Sequence, residues 1–274
     1  MKVTARERRE RIVARLAGGG VRVPELAREM GVTVLTVRRD LERLERMGRV
    51  IRTHGGAVPR DRLAYEESFK EKMSRNQGLK DAIGRAAAAL VEPGCAVFLD
   101  TGTTTLAIAR ALRTVKPLTI VTVNLRIALD FVGEEGIRVI MPGGEVGYKG
   151  PDLMGDMAVR NLSELMVDVA FLGCDAIDAE HGFWTTNYDS VSICRLMAKQ
   201  ARMTYYVADS SKFGKKAMWL ITCLTPPKGG VITNDGIAPE MKEAMVKAGL
   251  QVITVPVGGA SDGNGESRGL KTEN

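Results

Sequence analysis

Four short stretches of this 274-residue chain carry residue types suited to holding a charged, hydroxylated small molecule. Asp100-Thr101-Gly102-Thr103-Thr104-Thr105 sets a glycine between a carboxylate and a run of hydroxyls. Glycine permits a tight turn, and the threonines then open a helix whose free N–H groups attract an anion. The result is a phosphate cradle without the lysine of a Walker loop. Pro142-Gly143-Gly144-Glu145 offers a place where backbone could approach a ligand closely. Gly173-Cys174-Asp175-Ala176 and Asp209-Ser210-Ser211-Lys212 add carboxylates and a cation. Each has an ordinary alternative as a helix cap, a turn or a surface loop; what raises them is that all four follow apolar strand-like runs.

A second kind of chemistry lies near the start of the chain. Gly31 ends one short helical pattern, and Thr33 is placed to cap the next. Val37, Leu41 and Leu44 recur at i, i+4 and i+7, so one stripe packs inward. Leu35, Thr36 and Arg39 project away from that stripe, with Arg38 on its flank. This is the pattern of a helix-turn-helix whose second helix fits the major groove of DNA. Val50-Ile51-Arg52 and Thr53-His54-Gly55-Gly56-Ala57-Val58 then read as two short strands around a Gly-Gly turn, a wing that would bring Arg52 and His54 to phosphate or minor groove. His54 serves equally well as a structural hydrogen-bonder.

Charge supports that division. The net charge is +6, but residues 1–60 hold fifteen Lys and Arg against seven Asp and Glu, whereas residues 61–274 hold twenty-four against twenty-six. The basic excess belongs to the N-terminal fifth, as expected of a segment that meets a polyanion. Only two histidines exist, His54 and His181, which excludes a multi-histidine metal site and argues against a Ser-His-Asp triad. Cys95, Cys174, Cys194 and Cys223 are too scattered for a disulfide framework or a zinc site. No catalytic residue, metal or cofactor is expected. With no apolar leader and no run approaching ~20 apolar residues, a soluble, cytoplasmic protein is expected.

The elements that must carry these residues follow from periodicity. Residues 5–18 read as a helix with Ile12 and Leu16 inward, Val21 and Val23 as a short extended bridge, and Pro24 to Met30 as a second helix. Residues 59–75 form a charged linker, in which Tyr65, Phe69 and Met73 permit a short helix. Beyond it, apolar strands at 96–100, 118–123, 137–141, 167–173, 204–209, 230–233 and 251–255 alternate with helices, the pattern of a mostly parallel sheet covered on both faces. Ligands of such sheets bind beyond the carboxyl ends of the strands. The expected organisation is a DNA-binding unit over 1–58, a linker over 59–75, an α/β unit over 76–257 and a Gly/Ser-rich disordered tail over 258–274.

Two sets of residues also carry a resemblance. Val37-Arg38-Arg39-Asp40-Leu41, Leu44-Glu45, Gly48 and Ile51-Arg52-Thr53-His54-Gly55-Gly56-Ala57 resemble the winged helix-turn-helix of the DeoR family of bacterial transcription regulators, with Thr33 where the family usually has Ser. Phe98-Leu99-Asp100-Thr101-Gly102-Thr103-Thr104, Gly143-Gly144, Asp168-Val169-Ala170-Phe171-Leu172-Gly173 and Ala208-Asp209-Ser210-Ser211-Lys212-Phe213-Gly214 resemble that family's sensor domain. The resemblance implies a Rossmann-like α/β fold akin to ribose-5-phosphate isomerase and CoA-transferases, an operator read by Thr33, Leu35, Thr36, Arg38, Arg39, Arg52 and His54, and a phosphorylated sugar as effector. By the same resemblance Gly102, Thr103 and Thr104 hold the phosphate and Asp100, Asp175 and Lys212 face the sugar, with Thr101, Gly143 and Gly144 completing the effector-binding set. Repression of carbohydrate genes by a homo-oligomer, dimer or tetramer, is implied. The alternative is an isomerase-like sugar-phosphate enzyme with an appended DNA-binding domain; an architectural DNA binder with no effector is a third reading. The chain departs from the family at Val123-Asn124, where Asn-Ser is usual after the strand, and at Cys194-Arg195, where a Lys usually precedes the Arg. Phe183 and Trp184 are candidates for an aromatic wall of the pocket.

Overall fold

A computed structural model describes residues 4–16, 21–47, 49–53, 55–59, 69–147, 150–224 and 228–256. His54, residues 60–68 of the expected linker and the expected disordered tail lie outside the described residues. The chain divides into two compact units, Met1–Tyr65 and Glu66–Asn274.

In the first unit, α1 (Ala5–Leu16) is followed by β1 (Val21–Arg22), α2 (Val23–Met30), α3 (Val34–Arg46), β2 (Val50–Thr53) and β3 (Gly56–Pro59). A capping box starts α1: Thr4 Oγ1 accepts from the Glu7 N–H at 3.3 Å, and Glu7 returns a carboxylate to the Thr4 N–H at 2.9 Å. Gly31 stops α2 in the left-handed conformation, with φ 65°. Thr33 Oγ1 accepts from the Thr36 N–H at 3.2 Å and so caps α3. The stripe Val37, Leu41 and Leu44 is buried against Ile12, Leu16 and Leu26. The segment expected as a bridge is a third strand: β1 pairs with β3, Val21 opposite Ala57, and makes the wing a three-stranded sheet in the order β1-β3-β2. Two residues are too short a run for an alternation signal, so its pairing was not legible in sequence.

The second unit begins with α4 (Phe69–Met73) and α5 (Gln77–Ala88). Then come β4 (Ala96–Leu99), α6 (Thr103–Ala111), β5 (Leu118–Thr122), α7 (Leu125–Asp130) and β6 (Ile137–Ile140). After them run β7 (Glu145–Val146), β8 (Leu153–Met154), α8 (Asp156–Ser163), β9 (Val167–Gly173), β10 (Ala176–Asp178) and β11 (Gly182–Thr185). The last elements are α9 (Asp189–Lys199), β12 (Ala201–Val207), β13 (Trp219–Thr222), β14 (Gly229–Asn234), α10 (Pro239–Lys247) and β15 (Gln251–Val255). Among the described residues, seven strands form a wholly parallel sheet in the order β15-β14-β12-β9-β4-β5-β6.

Alternate residues feed opposite layers, as a pleated strand requires. Val97, Leu99, Val169 and Phe171 pack with Ile83, Ala87, Leu106 and Ile108 of α5 and α6. Phe98, Ala170, Leu172 and Tyr206 pack with Ala158, Leu162, Met197 and Met245 of α8, α9 and α10. Each such fully buried large side chain is worth about 1.5–3 kcal/mol of transfer free energy. A second, antiparallel sheet of β10, β11 and β13 flanks the first and has no counterpart in the sequence reading, because its strands have only three or four residues each. Part of the expected linker is built into this unit: Phe69 of α4 packs against the α5–α6 core. Among the described residues, no helix is long and apolar enough to cross a membrane.

Candidate functional site

The first unit presents α3 to solvent along one face. Leu35 is 57% exposed, Thr33, Arg38 and Arg39 are exposed, and Thr36 is half-buried with its hydroxyl 2.9 Å from that of Thr33. Arg52 is exposed, but its Nη1 lies 3.3 Å from Glu42 and 3.6 Å from Glu45, so its guanidinium is tied to the outer turns of α3. Asp40, third in the Arg-Arg-Asp run, faces the other way. It is buried and accepts from Arg8 Nε at 2.6 Å and Arg9 Nη1 at 3.3 Å. That pair fixes the angle of α1 on α3, and sequence reasoning assigned Asp40 no role.

In the second unit the chain lays down β4, then β5 and β6 to one side, then β9, β12, β14 and β15 to the other. The loops leaving β4 and β9 therefore diverge and leave a crevice at the carboxyl ends of these strands. A cavity of about 300 Å³ occupies that region. Of the residues predicted to face the effector, it brings together Asp100, Thr101, Gly102, Thr103, Thr104, Asp175 and Lys212. Gly102 has φ 129°, a conformation closed to most side chains, and no side chain caps α6 behind it. Thr105 turns back, donating to the carbonyls of Asp100 at 2.7 Å and Gly102 at 3.0 Å. The first N–H groups of α6 thus open toward the crevice at the positive end of the helix dipole.

Gly143 and Gly144 do not line the cavity. The close approach they make is internal: a Cβ on Gly144 would meet the Met154 carbonyl at 2.5 Å and Ala158 at 3.1 Å. The pair lets β7 pass over β8 and α8, which a sequence cannot distinguish from an approach to ligand. Phe183 and Trp184 also miss the cavity. Phe183 stacks on Tyr206 with ring centroids 3.9 Å apart, and Trp184 donates to Asp178.

The carboxylates play different parts. Asp100 is buried, and its Oδ2 accepts from the Gly173 N–H at 3.0 Å and the Cys194 thiol at 3.4 Å, while Oδ1 has no hydrogen-bond partner among the described residues. Burial pushes this carboxyl up to about 7, although the Thr101 and Gly173 N–H groups and the Cys194 thiol favour its ionised form. Asp175 is saturated: Oδ1 accepts from Lys72 Nζ at 2.6 Å, and Oδ2 from the Thr186 N–H at 2.9 Å and hydroxyl at 2.7 Å. Burial opposes its ionisation, but Lys72, Lys212 and the Thr186 N–H outweigh that and hold it well below the usual carboxylate range. Burial also pushes the Cys174 and Cys194 thiols up, so neither is a reactive thiolate. Cys194 instead stays protonated and donates its thiol hydrogen to Asp100. Asn124, the other departure, caps α7 by accepting from the Arg126 N–H at 2.8 Å.

Sequence reasoning missed Lys72, Arg75 and Lys80, which line the cavity from α4, the turn after it and α5. Lys80 is 4% exposed and donates to the carbonyls of Lys72 and of Arg75, the latter at 2.7 Å. Burial pulls its ammonium down to about 8, against the attraction of Asp209. The available signal was a lysine in register with the apolar stripe Ile83, Ala87.

The raised carboxyl of Asp100 has a stability consequence. Its folded-state value lies above its unfolded one, so its ionisation costs stability progressively as pH rises from about 4 through 7. Asp100→Asn is therefore expected to stabilise the second unit at pH 8 by roughly 2–4 kcal/mol and to have little effect near pH 4. Denaturant titrations at the two pH values check this; an equal difference at both contradicts it.

The family model for a DeoR-like helix-turn-helix domain matches residues 8–62, and that for the DeoR C terminal sensor domain matches residues 75–235. The chain is 36% identical to an Escherichia coli O157:H7 protein named as a candidate transcriptional repressor of the aga operon, over 91% of this chain and 93% of that one. It is 32% identical to the glycerol-3-phosphate regulon repressor of Escherichia coli K12, over 73% and 79% of the two chains. Ribose 5-phosphate isomerase A of Methanocaldococcus jannaschii is a structural neighbour at TM-score 0.38 and 19% identity, covering 51% of this chain and 56% of that one. A winged helix-turn-helix with an outward arginine face, joined to a separate α/β unit that carries a polar cavity, defines a DNA-binding transcriptional regulator with its own sensor. The chain belongs to the DeoR family of such regulators.

Proposed function

We propose that this regulator represses carbohydrate-metabolism genes from the cytoplasm and leaves its operator when a phosphorylated sugar fills the sensor cavity. The observation that carries the reading is the uncapped N-terminus of α6, flanked by Thr101, Thr103 and Thr104, with Lys212 lining the same cavity. Helix N–H groups, hydroxyls and an ammonium together suit a phosphate. The unpartnered Oδ1 of Asp100 suits a sugar hydroxyl in the same cavity. Thr33, Leu35, Thr36, Arg38 and Arg39 read the operator, with the exposed Leu35 suited to a thymine methyl. Arg52 and His54 contribute from the wing. A homo-oligomer, dimer or tetramer, presents paired copies of α3 to paired half-sites. The relatives are named as regulators, and the same reading has the cavity bind its ligand without turning it over.

The test is a binding assay on the promoter upstream of the gene, with ribose 5-phosphate, glucose 6-phosphate and glycerol 3-phosphate added in turn. DNA affinity is expected to fall steeply with salt, with a log–log slope of about −0.9 per phosphate contact. At least one compound is expected to weaken DNA binding and to raise the melting temperature. If none does either, the sensor reading fails; if one is converted to product, the non-catalytic reading fails.

A further inference from the structure

The wall of the cavity nearest the start of the second unit is α4, and α4 is also where the chain arrives from the wing through residues 60–68. Among the described residues, polar contacts tie this helix and the turn after it to the cavity. Lys72 Nζ lies 2.6 Å from Asp175 Oδ1, with the two side chains 23% and 15% exposed. Lys80 donates to the Lys72 and Arg75 carbonyls at the end of the helix. Asn76, left-handed at φ 54°, sends its amide to Asp209 at 3.2 Å.

These contacts differ in how they respond to an anion. Asp175 keeps the Thr186 N–H and hydroxyl whatever Lys72 does. Lys80 is buried beneath α4 and already committed to two carbonyls. Lys72 is half-buried at the cavity, on a side chain long enough to exchange one oxygen anion for another. We infer that Lys72 is the residue through which cavity occupancy is read out: a phosphorylated ligand draws its ammonium off Asp175, α4 takes a second position on its Lys80 seat, and DNA affinity changes with that position. This deepens the sugar-phosphate reading above and rests on it. The ligand biases α4 only because it contacts Lys72 in one arrangement and not in the other.

The test uses Lys72→Met in the full chain, with ribose 5-phosphate, glucose 6-phosphate and glycerol 3-phosphate as probes. Ligand affinity is read by thermal shift, DNA affinity by titration with and without probe, and α4 mobility by amide hydrogen exchange. The variant is expected to keep binding the active probe through α6 and Lys212 within about tenfold, while the probe's effect on DNA affinity falls from tenfold or more to under about threefold. Exchange across residues 69–75 is expected to respond to the probe in the wild type and not in the variant. Lys72→Arg, which keeps the charge, is expected to restore both responses. A Lys72→Met protein that binds the probe and releases DNA like wild type overturns the inference, as does one that no longer binds the probe at all. A wild type indifferent to every probe strikes the underlying sugar-phosphate reading instead.

Discussion

Replacing Arg38 and Arg39 together by alanine is expected to lower operator affinity about 10²- to 10⁴-fold while leaving the fold intact. Both side chains are exposed on α3, Arg39 opposite the Val37, Leu41 and Leu44 stripe and Arg38 on its flank. Neither has a hydrogen bond or ion pair among the described residues, so the folded protein loses no contact with them, and alanine is the better helix former. In complex with DNA, each arginine that reaches a guanine edge or a phosphate is worth about 1–3 kcal/mol. If both face phosphates, the salt slope falls by about two and all sequences weaken alike; if both face bases, the slope holds and specificity collapses. Fluorescence anisotropy on operator and scrambled duplexes at three salt concentrations separates the two cases. An unchanged operator affinity in a folded double variant would remove α3 from the interface.

Asp40→Ala is expected to abolish DNA binding by a different route, costing the first unit roughly 3 kcal/mol or more of stability. Asp40 is nearly fully buried and holds Arg8 and Arg9, whose side chains are 13% and 25% exposed. Without the carboxylate, the two neighbouring guanidiniums of α1 are left against α3 without the charge that balanced them. A DNA-binding unit of about 60 residues has little stability in reserve. Calorimetry of the full chain is expected to show an early transition for the first unit and an unmoved one for the second. A variant that melts normally yet fails to bind would instead give Asp40 a direct role at the DNA.

The contrast between Arg39 and Asp40 shows where sequence reading succeeds. Helical periodicity separates an inward stripe from an outward face, so the capping by Thr33, the burial of Leu41 and Leu44 and the exposure of Leu35 were all legible. An aspartate among arginines reads as one more solvated charge until its partners on α1 are known, and those lie more than thirty residues away. The same limit governs the second unit. Apolar runs announced the parallel strands, and the ends of those strands announced Asp100, Thr103, Asp175 and Lys212. Lys72 sits in a stretch whose composition resembles a tether and Lys80 on the helix after it, both ahead of β4, and only the tertiary fold returns them to the crevice. Gly143 and Gly144 show the converse, since a turn that admits a ligand and a turn that admits a neighbouring helix need the same residues.

The order in which the cavity's parts occur along the polypeptide sets a timetable for the newly made protein. Its lining runs from Phe69 to Lys212, and the central β4 acquires its neighbour β9 only some seventy residues after it emerges. The winged unit closes on contacts within its own first sixty residues and can form while the ribosome is still at work. Each nascent copy therefore gains the means to grip a duplex well before it gains the means to let go. Chains cut short between the two events would hold DNA without hearing the signal.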